Sequence, residues 1–226
     1  MDKQKAGMAN AGTYARSALA IIAFILFLVL MYGINSGHEF SWEKPVQHYF
    51  QSWNTGAAHI FFTIWTELGS RLVITVFTAS ACIWLAYKHK DFVGLGLTAI
   101  LVAGADKLNV FVKELVARDR PMVNPAIDAT GYSFPSGHAM LSIVTYGIIA
   151  YFLTVYMKEK GKKYVIWLMA ALIIVITGIS RIVLSAHYPT DVAAGYCLGF
   201  VLLIMTVKLY GIITSWVKKT RKKKKE

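Results

Sequence analysis

The chain has 226 residues, 56% of them hydrophobic and 16% charged, and its apolar residues come in long runs, which excludes an ordinary soluble domain. Its formal net charge of +12 does not point to nucleic acid, because most Lys and Arg lie between or just beyond the apolar runs rather than on one folded face. Two cysteines, Cys82 and Cys197, both sit inside apolar runs; they exclude a disulfide framework, carry no zinc signature and read as small buried hydrophobes.

The first apolar run, 17–34, follows a short basic N-terminus and has no small-x-small cleavage pattern at its end, so it reads as a retained span. Val46, Tyr49, Phe50 and Trp53 then repeat at i, i+3, i+4, i+7, and Ile60, Phe61, Ile64 and Trp65 continue the helical spacing. This segment reads as a helix lying in the interface, chiefly an aromatic anchor, with a wall beside a lipid-access cleft as the alternative. Further apolar runs cover 72–87, 92–112, 138–157, 164–184 and 190–213. Each comes close to the ~20 residues that cross a hydrocarbon core, the first of these five being short. In lipid only helices and closed barrels satisfy the backbone. The expected fold is an all-α polytopic bundle of about six transmembrane helices over 17–213, flanked by a cytoplasmic N-terminus (1–16) and a basic cytoplasmic tail (214–226).

Loop charge sets the orientation. Lys3, Lys5 and Arg16 precede the first span, and Lys88 and Lys90 follow the second. Lys158, Lys160, Lys162 and Lys163 separate the fourth and fifth, and a lysine-rich tail over 218–225 follows the sixth. With six spans all of these share one side, which the positive-inside rule makes cytoplasmic. Two spans separate the polar segments 118–138 and 181–191. Both therefore emerge together on the other, extracytoplasmic face.

Those segments carry chemistry. Lys113 and Arg120 are seven residues apart; on a persisting helix their Cα atoms are ~10 Å apart on one face, and both side chains can converge on one anion. Pro121 ends such a helix. Arg118 reads as a headgroup-seeking side chain or a partner of Asp119. Pro135, Ser136, Gly137 and His138 lead into the fourth span, where backbone N–H groups and the helix dipole favour an anion. There Gly137 permits close approach, the Ser136 hydroxyl can donate to a phosphate oxygen, and His138 stands in the first turn. His187 and Asp191 are four apart with Pro189 between them, a residue suited to a first helical turn. That spacing stacks them on one face. The carboxylate then accepts the Nδ1 proton and leaves Nε2 as a nucleophile. Arg181 adds a planar donor for phosphate oxygens.

Lys113, Arg120 and Arg181 provide charge stabilisation that Mg²⁺ supplies in other phosphoryl-transfer sites, so neither a metal nor another cofactor is expected. His and Asp are also metal ligands, but a divalent ion among three cations is electrostatically unfavourable. Asp106 and Lys107, adjacent in the third span, fit an internal ion pair or a cavity lining equally well.

The three strings resemble the signature of the type 2 phosphatidic acid phosphatase superfamily, K-x6-RP, PSGH and SR-x5-H-x3-D. They read here as Lys113…Arg120-Pro121, Pro135-Ser136-Gly137-His138 and Ser180-Arg181…His187…Asp191. Size and layout are most similar to its bacterial phosphatidylglycerophosphate phosphatases of the B type, which also act on undecaprenyl pyrophosphate. The resemblance implies a membrane lipid phosphatase. His187 would form a phosphohistidine with Asp191 holding its tautomer, and His138 would act as acid and then base. Lys113, Arg120, Ser136, Gly137 and Arg181 would bind the phosphate. The implied partners are a lipid phosphate and membrane lipids, with no nucleic acid. Three rival readings are a soluble-type vanadate haloperoxidase, which the spans disfavour, a lipid-phosphate carrier, which gives the histidines no task, and a phosphotransferase using another acceptor.

Overall fold

The computed structural model describes residues 2–122, 125–127 and 129–223, with side chains from Tyr14 onward. The side chains of Lys3 and Lys5, the terminal lysines Lys224 and Lys225, and positions 123, 124 and 128 of the 122–134 loop lie outside the described residues. The helices are α1 (Asp2–Asn35), α2 (Glu43–Gln51), α3 (Gly56–Thr66), α4 (Arg71–Trp84), α5 (Phe92–Val116), α6 (Gly137–Tyr156), α7 (Lys160–Val183) and α8 (Pro189–Lys223). Six stretches are long and apolar enough to cross a membrane: Tyr14–Asn35, Arg71–His89, Phe92–Val116, Gly137–Tyr156, Lys160–Val183 and Pro189–Lys223. The chain is thus an all-helical integral membrane protein of six candidate spans. The short second run reaches membrane length because a wider π turn, Leu85–His89, extends α4. At the other extreme α8 continues without a break past residue 213, through Lys and Arg residues that favour helix.

The best-buried helix is α6, packed against α5, α7 and α8. Its contact with α8 is built on Gly195 and Gly199, spaced i, i+4. A Cβ on Gly195 would lie 2.6 Å from the Ser136 carbonyl oxygen, and one on Gly199 would lie 2.8 Å from that of Met140. Small residues at this spacing let two helix backbones touch in lipid, where packing rather than hydrophobicity drives association. The Ser136 N–H also donates to the Asp191 carbonyl at 2.9 Å. The beginnings of α6 and α8 are therefore joined backbone to backbone.

At the opposite end Asp91 ties three helices together. Its side chain caps α5 by accepting from Gly94 N–H at 2.8 Å, and it accepts from Tyr156 of α6 at 2.7 Å and Tyr210 of α8 at 2.8 Å. On the first-mentioned end, α2 and α3 lie between α1 and α4 in the chain and pack on α7, with α2 also touching α8. Tyr49, Ile60, Phe61 and Ile64 point outward, whereas Phe62 is buried. The segment expected to lie in the interface is helical, split into two short helices.

Candidate active site

Three side chains of α5, Asp106, Asn109 and Lys113, follow helical spacing and face one cleft of about 600 Å³. The helix does not persist to Arg120. It stops at Val116, and Ala117 takes a left-handed conformation (φ 49°) with its N–H bonded to the Lys113 carbonyl at 2.8 Å. Lys113 and Arg120 are therefore not neighbours on one helix face. Arg120 reaches the same cleft from the following loop. There its Nε and terminal nitrogens donate to the carbonyls of Thr130, Gly131 and Ala186 at 2.8 to 3.1 Å. Lys113 Nζ donates to the carbonyls of Tyr132 and, at 3.3 Å, Ser133.

His187 precedes α8 instead of stacking on it. A turn containing Ser185 (φ 56°) delivers the ring, and Pro189 is the first helical residue. One terminal nitrogen of Arg120 lies 3.1 Å from His187 Nε2. A guanidinium only donates, so Nε2 is the acceptor and Nδ1 carries the proton. Nδ1 faces Asp191 Oδ2 at 3.4 Å and Ser133 Oγ at 3.4 Å, both long for a hydrogen bond, and Ser133 Oγ itself donates to Asp191 Oδ2. The expected His–Asp pair thus includes a serine. Burial, reinforced by Lys113, Arg120 and Arg181, pushes the His187 imidazole's proton affinity well below the usual histidine range.

Asp191 is fully buried and held from several sides: Tyr188 N–H donates to Oδ2 at 2.9 Å, and Arg118 donates to Oδ1 at 2.7 Å. Arg118 therefore neither seeks headgroups nor pairs with Asp119. Its other branch pairs with Glu43 of α2 at 2.9 Å, its plane lies 3.9 Å over the Tyr188 ring, and Glu43 also accepts from Thr190. A carboxylate too deep for water draws in the nearest arginine, and that outweighs the snorkelling expected from sequence spacing.

His138 and Gly137 line the cleft from the start of α6. The 3-10 turn Glu67–Gly69 sits directly on His138, since a Cβ on Gly69 would lie 2.8 Å from His138 Cδ2 and 2.6 Å from Thr177 Cγ2. Ser136 is buried, and its hydroxyl accepts from Ala139 N–H at 3.4 Å as the α6 cap. Arg181 is fully buried, donates to Thr66 Oγ1 at 2.9 Å and adds its charge to the field on His187. Asp106 pairs with Arg71 at 3.2 Å and lines the cleft, while Lys107 is exposed. Among the described residues no cluster of three His, Cys, Asp or Glu is arranged to hold a metal ion.

Residues 91–215, which contain all of these strings, match the PAP2 superfamily. The chain belongs to that superfamily. Within the PAP2 superfamily it is 40% identical over 112 residues to Phosphatidylglycerophosphatase B of Bacillus subtilis (strain 168), a match covering 49% of this chain and 55% of that protein. It is 31% identical over 131 residues to Undecaprenyl-diphosphatase of Sulfolobus acidocaldarius, covering 55% of this chain and 59% of that protein. The chain thus matches little more than half the length of these curated relatives. The structure resembles that of a transmembrane PAP2 type phosphatidylglycerolphosphate phosphatase from Bacillus subtilis. The TM-score is 0.69 at 27% identity, over 86% of this chain and 96% of that one. It also shares its fold with Aquifex aeolicus LpxE (TM-score 0.58, 18% identity, 75% of this chain and 97% of that one).

Several residues around this PAP2 cleft escaped the sequence reading: Glu43, Thr66, Gly69, Arg71, Asn109 and Ser133. Asn109 alone carried a signal, a polar residue within a span at helical spacing from Lys113. The others come from loops or helix ends whose partners are more than 30 residues away.

Proposed function

We propose that this chain is a membrane lipid phosphatase that removes the terminal phosphate of a lipid phosphate or diphosphate through a phosphohistidine on His187. The single observation that carries the reading is the placement of His187: Nε2 lies 3.1 Å from a terminal nitrogen of Arg120 and Nδ1 faces Asp191 at 3.4 Å, an arrangement that assigns the proton to Nδ1 and leaves the Nε2 lone pair toward the cleft. Such a ring is a nucleophile at neutral pH, and its lowered proton affinity keeps it unprotonated. In the first step the Nε2 lone pair attacks phosphorus in line, the bond to the lipid oxygen breaks, and His138 delivers a proton to that oxygen. In the second, His138 takes a proton from water, the water oxygen attacks phosphorus, and the P–N bond breaks to release inorganic phosphate and free His187. Asp191, with Ser133, stabilises the Nδ1 proton as the ring becomes cationic. Lys113 and Arg120, which line the cleft, with the charge of the fully buried Arg181 behind them, balance the charge on the transferring phosphoryl group, and Gly137 lets it approach the start of α6. Ser136 contributes through the cap that shapes this turn.

The named activities of the Bacillus subtilis and Sulfolobus acidocaldarius relatives support phosphatidylglycerophosphate and undecaprenyl diphosphate as the substrates to test first, with phosphatidic acid as the single-phosphate comparison. The Bacillus subtilis relative supports a bacterial plasma-membrane location, and the charge pattern supports both termini cytoplasmic and the cleft extracytoplasmic. Lys88, Lys90, Lys158 and Lys163 flank helix ends opposite to those that carry His138 and His187. Purified protein in detergent should release phosphate from at least one of these lipids and yield an acid-labile phosphoenzyme on quenching, and His187→Ala should do neither while keeping its helical content. Full turnover by His187→Ala would overturn the mechanism.

A further inference from the structure

A second cavity adjoins the first. It is an apolar groove of about 830 Å³ between α4 and α5, walled by side chains such as Ile74, Ala79, Cys82, Ala99 and Ala103. The two cavities share Arg71, Asp106 and Leu141. Among the described residues, Arg71 and Asp106 are the only charged ones on the groove, and they stand at its junction with the polar cleft. A chain of apolar carbons suits the groove and the scissile phosphate suits the cleft, so whatever links the two must pass this pair.

We infer that Arg71, oriented by Asp106, binds a second phosphate of the substrate, one lying between the scissile phosphate and the lipid tail. This deepens the phosphatase reading and rests on it. Asp106 holds Arg71 through Nε at 3.2 Å. Among the described residues, no hydrogen bond engages the two terminal nitrogens of Arg71. They form the planar, two-pronged donor that phosphate oxygens match. The pair also answers an electrostatic problem. A lone carboxylate facing the cleft of Lys113, Arg120 and His187 would repel the substrate, and the arginine cancels that charge. As a mere tie between α4 and α5 the pair would stabilise little, because the Arg71 side chain is 69% exposed. A lipid with one phosphate has nothing anionic to present at the junction; a lipid diphosphate or a phosphodiester-linked monophosphate does.

The test compares phosphate release from phosphatidic acid, phosphatidylglycerophosphate and a prenyl diphosphate by wild type, Arg71→Gln, Arg71→Lys and Asp106→Asn. Arg71→Gln should lose about 10- to 100-fold in kcat/KM on the two substrates with a second phosphate and stay within about 2-fold on phosphatidic acid. Arg71→Lys should lose less, and Asp106→Asn should lose in the same substrate order. Unchanged phosphatidic acid turnover shows that the variant is folded. An equal change on all three lipids, no change on any, or a wild type that turns over phosphatidic acid alone would overturn the assignment. Binding of a non-hydrolysable prenyl bisphosphonate and monophosphonate separates the two levels of the reading. If wild type hydrolyses nothing, yet Arg71→Gln weakens only the bisphosphonate by about 10-fold, the phosphatase reading fails and the Arg71 site stands. Equal weakening of both ligands removes the Arg71 site.

Discussion

Arg118→Met should lower kcat without raising KM, because Arg118 touches Asp191 and not the cleft. The substitution keeps most of the side chain's length and removes the 2.7 Å donor to Asp191 Oδ1 and the 2.9 Å donor to Glu43. No other donor reaches Asp191 Oδ1 among the described residues, and the carboxylate is fully buried, so water cannot take over. A hydrogen bond to a buried charge is worth about 1.5–3 kcal/mol. If Asp191 needs it to stabilise the His187 cation, kcat should fall roughly 10- to 150-fold. Breaking the buried pair should also cost about 3–5 kcal/mol of stability, seen as a lower melting temperature in detergent. Steady-state phosphate release on a short-chain lipid phosphate reads kcat and KM separately. Glu43→Gln should be milder, since its amide oxygen still accepts from Arg118, and the double variant should be little worse than Arg118→Met alone. A wild-type kcat in Arg118→Met, or a loss carried wholly by KM, would refute this chain of positioning contacts.

Arg120→Gln removes one of the charges that lower the His187 proton affinity, so the acid limb of its kcat/KM profile should move to higher pH than that of wild type on the same substrate; a limb that stays or moves lower contradicts the field described for His187. Gly69→Ala should displace the His138 ring or the turn above it, costing about 1–3 kcal/mol of stability and reducing kcat, as followed by thermal unfolding and phosphate release. Activity should survive dialysis against chelator and be inhibited by vanadate, whose trigonal-bipyramidal form suits the same cations; a strict requirement for added divalent metal would remove the charge argument built on Lys113, Arg120 and Arg181.

The six spans were legible because a membrane imposes a length and a polarity that no local competition overrides, and the positions of His138, His187 and Lys113 followed once the spans were counted. The end of α5 was not. Pro121 is the visible breaker, yet the helix stops earlier, at a left-handed alanine that carries neither glycine nor asparagine as a sign. The partnership of Glu43, Arg118 and Asp191 was also hidden. Periodicity reports which face of a helix meets the core, but a buried carboxylate recruits cations by proximity in space, here from positions 75 residues apart. Asp106 could be placed in a span but not paired, since Arg71 lies beyond the loop between α4 and α5 and looks in sequence like an ordinary flanking arginine.

The contact of Gly195 and Gly199 with α6 has a consequence for how accurately the two imidazoles can be held. A methyl group at either position would wedge the helix axes apart at the level of Ser136 and Met140, which flank His138 on α6, about one to two turns from Asp191 on α8. Reacting groups tolerate displacements of only about 0.5 Å. The registration of His187 and His138 therefore depends on two hydrogens standing where other residues carry carbon, and lengthening or stiffening the loops around the cleft cannot substitute for that fit.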